Sequence, residues 1–295
     1  MLVVDAHAHI FPPHIGGRRE EYLRRDATFA EMYASPKARL ATAEELLASM
    51  GEAEVDVSVV LGFAWAEHEL CREHNDYLLE AAARSGGRLV PFCTVQPRAG
   101  DDARREIERC ARGGARGLGE LRPESQGYRL DGGEAAELLA EAARRHGLAL
   151  LFHVSEPVGH AYPGKGGLSL ESFYRFVSSQ RDLNVVGAHW GGGLPFYALM
   201  PEVKEALANR LPAASRIYVD TAATPFLYGP AVYDQVAGLV GVEGILFGSD
   251  YPLISQRCQR EAIEQGFLRP DDEARRLVLG ENACRLLSLD HDDES

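Results

Sequence analysis

Short apolar runs and longer stretches of helical periodicity alternate along almost the whole chain. The runs predict strands near Leu2–Asp5, Val55–Leu61, Leu89–Thr94, Gly117–Glu120, Ala149–His153, Val185–His189, Ile217–Asp220 and Ile245–Phe247. They are continuous rather than alternating, and several are β-branched, as expected for parallel strands buried on both faces. Thr42 is placed to cap a helix that opens with Glu44-Glu45-Leu46-Leu47. Leu70, Tyr77, Leu78 and Ala81 share one face of a helix over Glu69–Ala83. Helical patterns follow over Asp102–Arg112 and Glu134–Arg145, the second ending at His146-Gly147 with the glycine in left-handed conformation. Ser169–Ser179, Pro201–Ala208, Pro230–Leu239, Glu261–Gln265, Asp272–Leu279 and Asn282–Leu287 complete the helices.

Eight such βα units in 295 residues predict an α/β fold, a (β/α)8 TIM barrel, which typically needs about 250 residues. An open doubly wound sheet is the alternative, but no Gly-x-Gly-x-x-Gly follows the first strand. The expected organisation is a single domain over residues 1–289 and a disordered acidic tail over 290–295. Two long connections, Phe11–Thr42 and Glu156–Gly167, follow the first and fifth strands. In a barrel both lie at the catalytic face, where they can shape a substrate pocket.

The net charge of -13, from 44 acidic and 31 basic residues, argues against nucleic acid as an obligate partner. Lysine is scarce, with only Lys37, Lys165 and Lys204. Five widely spaced cysteines without a C-x-x-C pair suit free thiols in a reducing compartment. Met1-Leu2-Val3-Val4 runs straight into Asp5 as a strand rather than a signal peptide. No uncharged apolar stretch approaches the ~18 residues of a membrane span. The expectation is a cytoplasmic protein without a membrane partner.

Histidine and aspartate gather where strands end. His7 and His9 lie at i and i+2 of the first strand, so both point to one face. His153 ends the fifth strand and His189 the sixth, while Asp250 follows the eighth in Phe-Gly-Ser-Asp-Tyr-Pro. Imidazole and carboxylate are ligands for a divalent ion. Each residue has a plainer reading: polar strand ends for His7 and His9, core histidines for His153 and His189, an Asx turn or helix cap for Asp250. Only a closed barrel lets all of them meet. Gly248 and Ser249 are small enough for a backbone to approach the site closely.

The opening Asp5-Ala6-His7-Ala8-His9, His153, His189, Gly248-Ser249-Asp250-Tyr251-Pro252 and the late Gly280-Glu281-Asn282-Ala283 resemble the metal-dependent amidohydrolase superfamily over nearly the whole chain. The likeness is nearest to the amidohydrolase-related (amidohydrolase 2) branch, which contains hydrolases, lactonases and non-oxidative decarboxylases of aromatic acids. Some members bridge two ions with a carbamylated lysine at strand four. Here that strand reads Ala115-Arg116-Gly117-Leu118-Gly119-Glu120-Leu121-Arg122-Pro123, with Glu120 at its end, similar to the bridging glutamate of TatD-like hydrolases. The resemblance implies metal held by His7, His9 and Asp250, with His153 and His189 for a second ion and Glu120 shared. Alternatively one ion is bound, His189 orients water or substrate, and Glu120 pairs with an arginine. Zinc is the first expectation for the ion, with manganese or iron also compatible.

A metal-activated water, with Asp250 as acid and base and His189 as the second catalytic residue, predicts hydrolysis of an amide, ester or lactone in a small molecule. The alternative is metal-dependent decarboxylation of an aromatic carboxylic acid, and a second alternative is a TatD-like phosphoesterase. A non-enzymatic metal-binding protein would instead close its ion off behind a full ligand set. Lys165, His160 and Tyr162 in the loop after strand five, together with Arg122, are candidate contacts for an anionic substrate. Trp190 offers either an apolar substrate wall or rim packing. His14 is in reach of the pocket only through the first long connection, and His68, His74 and His146 fall on helices as expected surface residues. A homodimer is the commonest assembly for such enzymes.

Overall fold

Strands β2 (Val57–Leu61), β3 (Leu89–Cys93), β4 (Gly117–Leu121), β5 (Ala149–Phe152), β6 (Val185–Gly187), β7 (Ile217–Asp220) and β8 (Ile245–Leu246) are buried at every position. That burial on both faces is why their sequences are largely apolar, with Ser58, Glu120 and Asp220 as the polar exceptions. The computed structural model describes residues 1–208, 216–266 and 272–289; the acidic tail expected at 290–295 lies outside them. With β1 (Val4–His9), the strands form an eight-stranded parallel sheet in sequence order. The sheet closes on itself beyond the end of β8. Ala6 N–H donates to the Phe247 carbonyl, His9 N–H to that of Tyr251, and Asp250 N–H to that of His7, at 2.7, 2.7 and 2.8 Å. Helices lie between the strands, as in a (β/α)8 barrel.

β1 runs past Asp5, where its apolar run stops, to His9. Polar side chains are tolerated there because they find partners inside the barrel. Asp5 accepts from the Ser249 backbone, the Ser249 hydroxyl and the Gln256 amide, at 2.9, 2.6 and 2.7 Å.

The first βα connection is itself helical, with α1 (Pro13–Gly17), α2 (Arg19–Arg25) and α3 (Ala27–Tyr33). Phe11, Tyr22, Phe29, Phe63 and Trp65 form an aromatic cluster beneath it. Helix α4 (Ala43–Ala53) starts on the expected Thr42 cap, completed into a capping box by Glu45. Helices α5 (His68–Arg84), α6 (Asp101–Arg112) and α7 (Glu134–His146) follow, with Gly147 ending α7 at φ 64°. Later come α8 (Leu170–Ser179), α9 (Pro201–Ala208), α10 (Thr224–Leu227), α11 (Val232–Val240), α12 (Gln256–Gly266), α13 (Asp272–Arg276) and α14 (Asn282–Leu287). Val4, Val59, Phe92, Leu151, Val186 and Leu246 form the barrel interior, and Ala283 and Leu287 of α14 pack into the same cluster.

His74 corrects an expectation. It is fully buried on α5 rather than at the surface. Its Nε2 faces the Ile10 carbonyl at 2.7 Å, while Nδ1 accepts from Phe63 N–H at 3.3 Å and from the Trp65 indole at 3.1 Å. His68 and His146 are half-buried. No helix among the described residues is long and apolar enough to cross a membrane.

Candidate metal centre

The C-terminal ends of β1, β4, β5, β6 and β8 bring His7, His9, Glu120, His153, His189 and Asp250 together. Three overlapping groups have ligand atoms within 4.8 Å of one another: His7, His9 and Glu120; His7, His189 and Asp250; Glu120, His153 and His189. His7 and His9 project from one face of β1, and their Nε2 atoms stand 3.1 Å apart. Glu120 sits between the two sets. One oxygen is 3.6 Å from His9 Nε2; the other is 2.9 Å from His153 Nδ1 and 3.4 Å from His189 Nε2. Asp250 Oδ1 lies 3.7 Å from His7 Nε2 and 3.6 Å from His9 Nε2.

Asp220, at the end of β7, organises the group; it is absent from the expected ligands although it ends its strand as His153 and His189 end or follow theirs. Its Oδ2 accepts from His7 Nδ1 at 2.8 Å, and its Oδ1 accepts from His189 N–H at 2.8 Å and Ala222 N–H at 3.1 Å. With the Nδ1 proton given to a carboxylate, His7 turns an Nε2 lone pair toward His9 and Asp250. His189 and Asp250 both take the left-handed backbone region, at φ 56° and 61°. Non-glycine residues adopt it only when other contacts fix them. Here those contacts are the bond to Asp220 and the bond from Asp250 N–H to the His7 carbonyl.

The residues fit a divalent metal. Two imidazole nitrogens on a tetrahedral ion with ~2.0–2.1 Å bonds stand roughly 3.3–3.4 Å apart, close to the His7–His9 spacing. His9 Nδ1 is buried without a hydrogen-bond partner. Without an ion the cluster shares protons. Burial disfavours the charge on His7, but Asp220, then Glu120 and Asp250, outweigh it and lift its pKa to about 10. Burial likewise works against ionised Glu120, yet His153, His189 and His7 hold its carboxyl well below the usual range. Burial and the neighbouring His7 lower His9, and burial and Arg122 lower His153. A bound cation would replace these shared protons, since ligands bind deprotonated.

Above the cluster opens a cavity of about 600 Å³. His9, Glu120, His153, His189 and Asp250 line its floor, while His7 is buried beneath. Met32, Tyr33, Phe63, Phe226, Leu227, Pro252 and Leu253 supply largely apolar walls. Arg122, His160 and Tyr162 line it, as do Lys37 and Arg39. Lys165 does not: its ammonium pairs with Glu156 at 3.1 Å and donates to the Val158 and His160 carbonyls, folding the loop onto itself. The Lys165 backbone instead reaches the site, its carbonyl 3.1 Å from His153 Nε2 and bonded to the Ser155 hydroxyl. Trp190 takes the packing role rather than that of a substrate wall. It is fully buried, with its indole donating to Thr224 Oγ1 at 2.9 Å and its ring against Tyr233. His14 is exposed and pairs with Glu73. Cys71, Cys93, Cys110 and Cys284 are buried and Cys258 is exposed, all with free thiols.

A family model described as Amidohydrolase matches residues 4–289. Among solved structures, 5-carboxyvanillate decarboxylase from Sphingomonas paucimobilis has a TM-score of 0.78 at 18% identity, covering 97% of this chain and 99% of that one. The 5-carboxyvanillate decarboxylase from Novosphingobium aromaticivorans, complexed with manganese and 4-hydroxy-3-methoxy-5-nitrobenzoic acid, has a TM-score of 0.77 at 16% identity, covering 98% and 96%. For a 2,6-dihydroxybenzoate decarboxylase from Rhizobium the values are 0.71 and 17%, covering 99% and 100%. At these identities the likeness is one of fold. No curated protein matches the chain.

Proposed function

The chain belongs to the amidohydrolase family, and from that premise we propose that it is a metal-dependent, non-oxidative decarboxylase of an aromatic carboxylic acid. One observation carries the reading. In a chain of net charge -13, the charged residues lining the cavity outside the cluster are Lys37, Arg39 and Arg122, all cationic, set among apolar and aromatic walls. Such a cavity accepts a flat ring bearing a negative group. The decarboxylases of the same fold support the choice of reaction, and the manganese complex among them supports manganese beside zinc as the ion.

His7, His9 and Asp250 would hold the ion, with Glu120 and His189 in reach. When bound, it supplies positive charge that fixes the substrate's carboxylate and a neighbouring hydroxyl. The protein does the rest. Phe63, Met32 and Phe226 flank the ring and keep water from it. Asp250 relays a solvent proton to the ring carbon that carries the carboxylate. The bond from that carbon to the carboxylate then breaks, its electron pair restores the aromatic ring, and carbon dioxide leaves. Solvent at the cavity mouth returns a proton to Asp250. His189, with Nε2 3.4 Å from Glu120, orients the substrate's oxygen.

The test is a panel of hydroxybenzoic acids incubated with the manganese- or zinc-loaded protein in D2O. Release of carbon dioxide, with one deuterium on the vacated ring carbon, is the expected result. No release across the panel, with turnover of esters or lactones, would return the assignment to hydrolysis. Hydrolysis, the first expectation from the sequence, stands as the second reading. Glu120 favours it, because a carboxylate facing both His9 and His153 is placed to bridge two ions and their shared hydroxide.

A further inference from the structure

The connection after β5 folds over His153 and is held chiefly by its own side chains. Lys165 Nζ pairs with one Glu156 oxygen at 3.1 Å and donates to the Val158 and His160 carbonyls, each at 3.1 Å. The Tyr162 hydroxyl donates to the other Glu156 oxygen at 3.0 Å, and Lys165 N–H donates to the Tyr162 carbonyl at 3.1 Å. Holds from outside the loop are fewer. Gly164 N–H donates to Glu31 at 2.9 Å, and the Gly164 carbonyl accepts from Arg122 Nη2 at 3.1 Å. The other branch of that guanidinium, Nη1, meets only the Met32 thioether, a weak acceptor.

The closed loop sets the Lys165 carbonyl 3.1 Å from His153 Nε2. A carbonyl only accepts, so the proton stands on Nε2 and Nδ1 is the nitrogen that faces the cluster, 2.9 Å from Glu120. Ser155, with Oγ 2.9 Å from the same Nε2, donates its hydroxyl to that carbonyl and holds it in place. The loop backbone lies directly on the ring: a Cβ on Gly166, at φ 76°, would fall 3.0 Å from His153 Cδ2. Which imidazole nitrogen meets an ion is set by the hydrogen bond the other makes. Here that bond comes from a segment whose shape depends on one ion pair.

We propose that Lys165 and Glu156 are positioning residues of the metal centre. The loop they close fixes His153 with Nδ1 toward the ion, so loop closure and metal binding stabilise each other. The coupling concerns the ion and not the reaction, so it holds for decarboxylation and hydrolysis alike. It is also reciprocal: the factor by which the ion favours the closed loop equals the factor by which the closed loop favours the ion.

Lys165 is the only lysine or arginine between His153 and Arg175, so trypsin cleavage after it reports opening of this loop. Manganese or zinc added to chelator-treated wild type should slow that cleavage about fivefold or more, the low end of usual coupling. Cleavage after Arg112, at the end of α6, should change much less. Glu156→Gln should speed cleavage after Lys165. It should also weaken metal binding about three- to tenfold, less than the ~10–100-fold of a direct outer partner, as read by competition with a chromogenic chelator. Lys165→Met should weaken metal binding likewise, and Lys165→Arg, which keeps a cation for Glu156, should retain more of it. Cleavage after Lys165 that ignores the ion would overturn the proposal, and this comparison needs no variant. Slowing by the same factor at Arg112 would also overturn it, by making the effect one of overall stability. So would unchanged metal affinity in both Glu156→Gln and Lys165→Met. Neither readout involves turnover, so the result stands whichever reaction the enzyme performs.

Discussion

Asp220 and His7 form a fully buried pair, carboxylate to imidazole, at 2.8 Å. The same carboxylate fixes the backbone of His189 through its other oxygen. One side chain at the end of β7 thus sets the ring of one candidate ligand and the position of another. Asp220→Ala should weaken metal binding by about 10–100-fold, the usual cost of losing such an outer partner. Competition with a chromogenic chelator measures it. An unchanged affinity would mean that His7 is oriented by the ion alone.

Glu120 separates the one-metal and two-metal chemistries. For the decarboxylase, elemental analysis should find about one ion per chain in wild type and again in Glu120→Gln, since His7, His9 and Asp250 remain. Two ions falling to one in the variant would identify Glu120 as a bridge and bring hydrolysis forward.

Gly248 lets the segment after β8 lie directly on the site. A Cβ there would stand 2.9 Å from His7 Cβ and 3.2 Å from Asp220 Cβ. Gly248→Ala should lose about 1–3 kcal/mol of stability through overpacking, and metal affinity should fall with it because His7 and Asp220 are what must move. Gly51→Ala is the control. That glycine lies within α4 and a Cβ there meets nothing within 4 Å, so the variant should gain roughly 0.5–1 kcal/mol in denaturant unfolding.

His74 should make stability fall in acid. Burial, more than any neighbour, lowers its pKa from 6.5 to about 4. The neutral ring is also what its contacts require, because Nδ1 already accepts two donors. Between pH 6.5 and about 4, the unfolded chain binds a proton that the folded chain refuses. This contribution is therefore intact above pH 6.5 and is lost as pH falls toward 4, by about 3 kcal/mol in all. Urea unfolding of chelator-treated wild type and His74→Gln at several pH values in this window should show the steeper fall in wild type. Parallel curves would count against it.

Most of the barrel could be read from the chain because strands buried on both faces are largely apolar. Where the local pattern misled, the deciding partner was distant. The apolar run of β1 ends at Asp5, and His7 and His9 read as its polar end, yet Asp5 and His7 stay buried because Ser249 and Asp220 receive them. His74 shares the face of α5 occupied by Leu70 and Leu78, so a polar residue on an apolar stripe was the available signal. Its partners Ile10, Phe63 and Trp65 lie outside that helix. Asp220 ends an apolar strand just as His153 and His189 do, but its role depends on His7 across the barrel. The weak partnering of Arg122 depends on how Met32 and Gly164 pack, which no periodicity encodes.

The bonds that tie Asp5 to Ser249 and Gln256 join residues 244 and 251 positions apart. Asp220 and Asp250 likewise stand at the seventh and eighth strands, whereas His7 and His9 stand on the first. During synthesis on a ribosome, the two leading histidines emerge long before the carboxylates that orient and complete their site. A centre that needs all of these residues is therefore complete only once translation has passed the final strand.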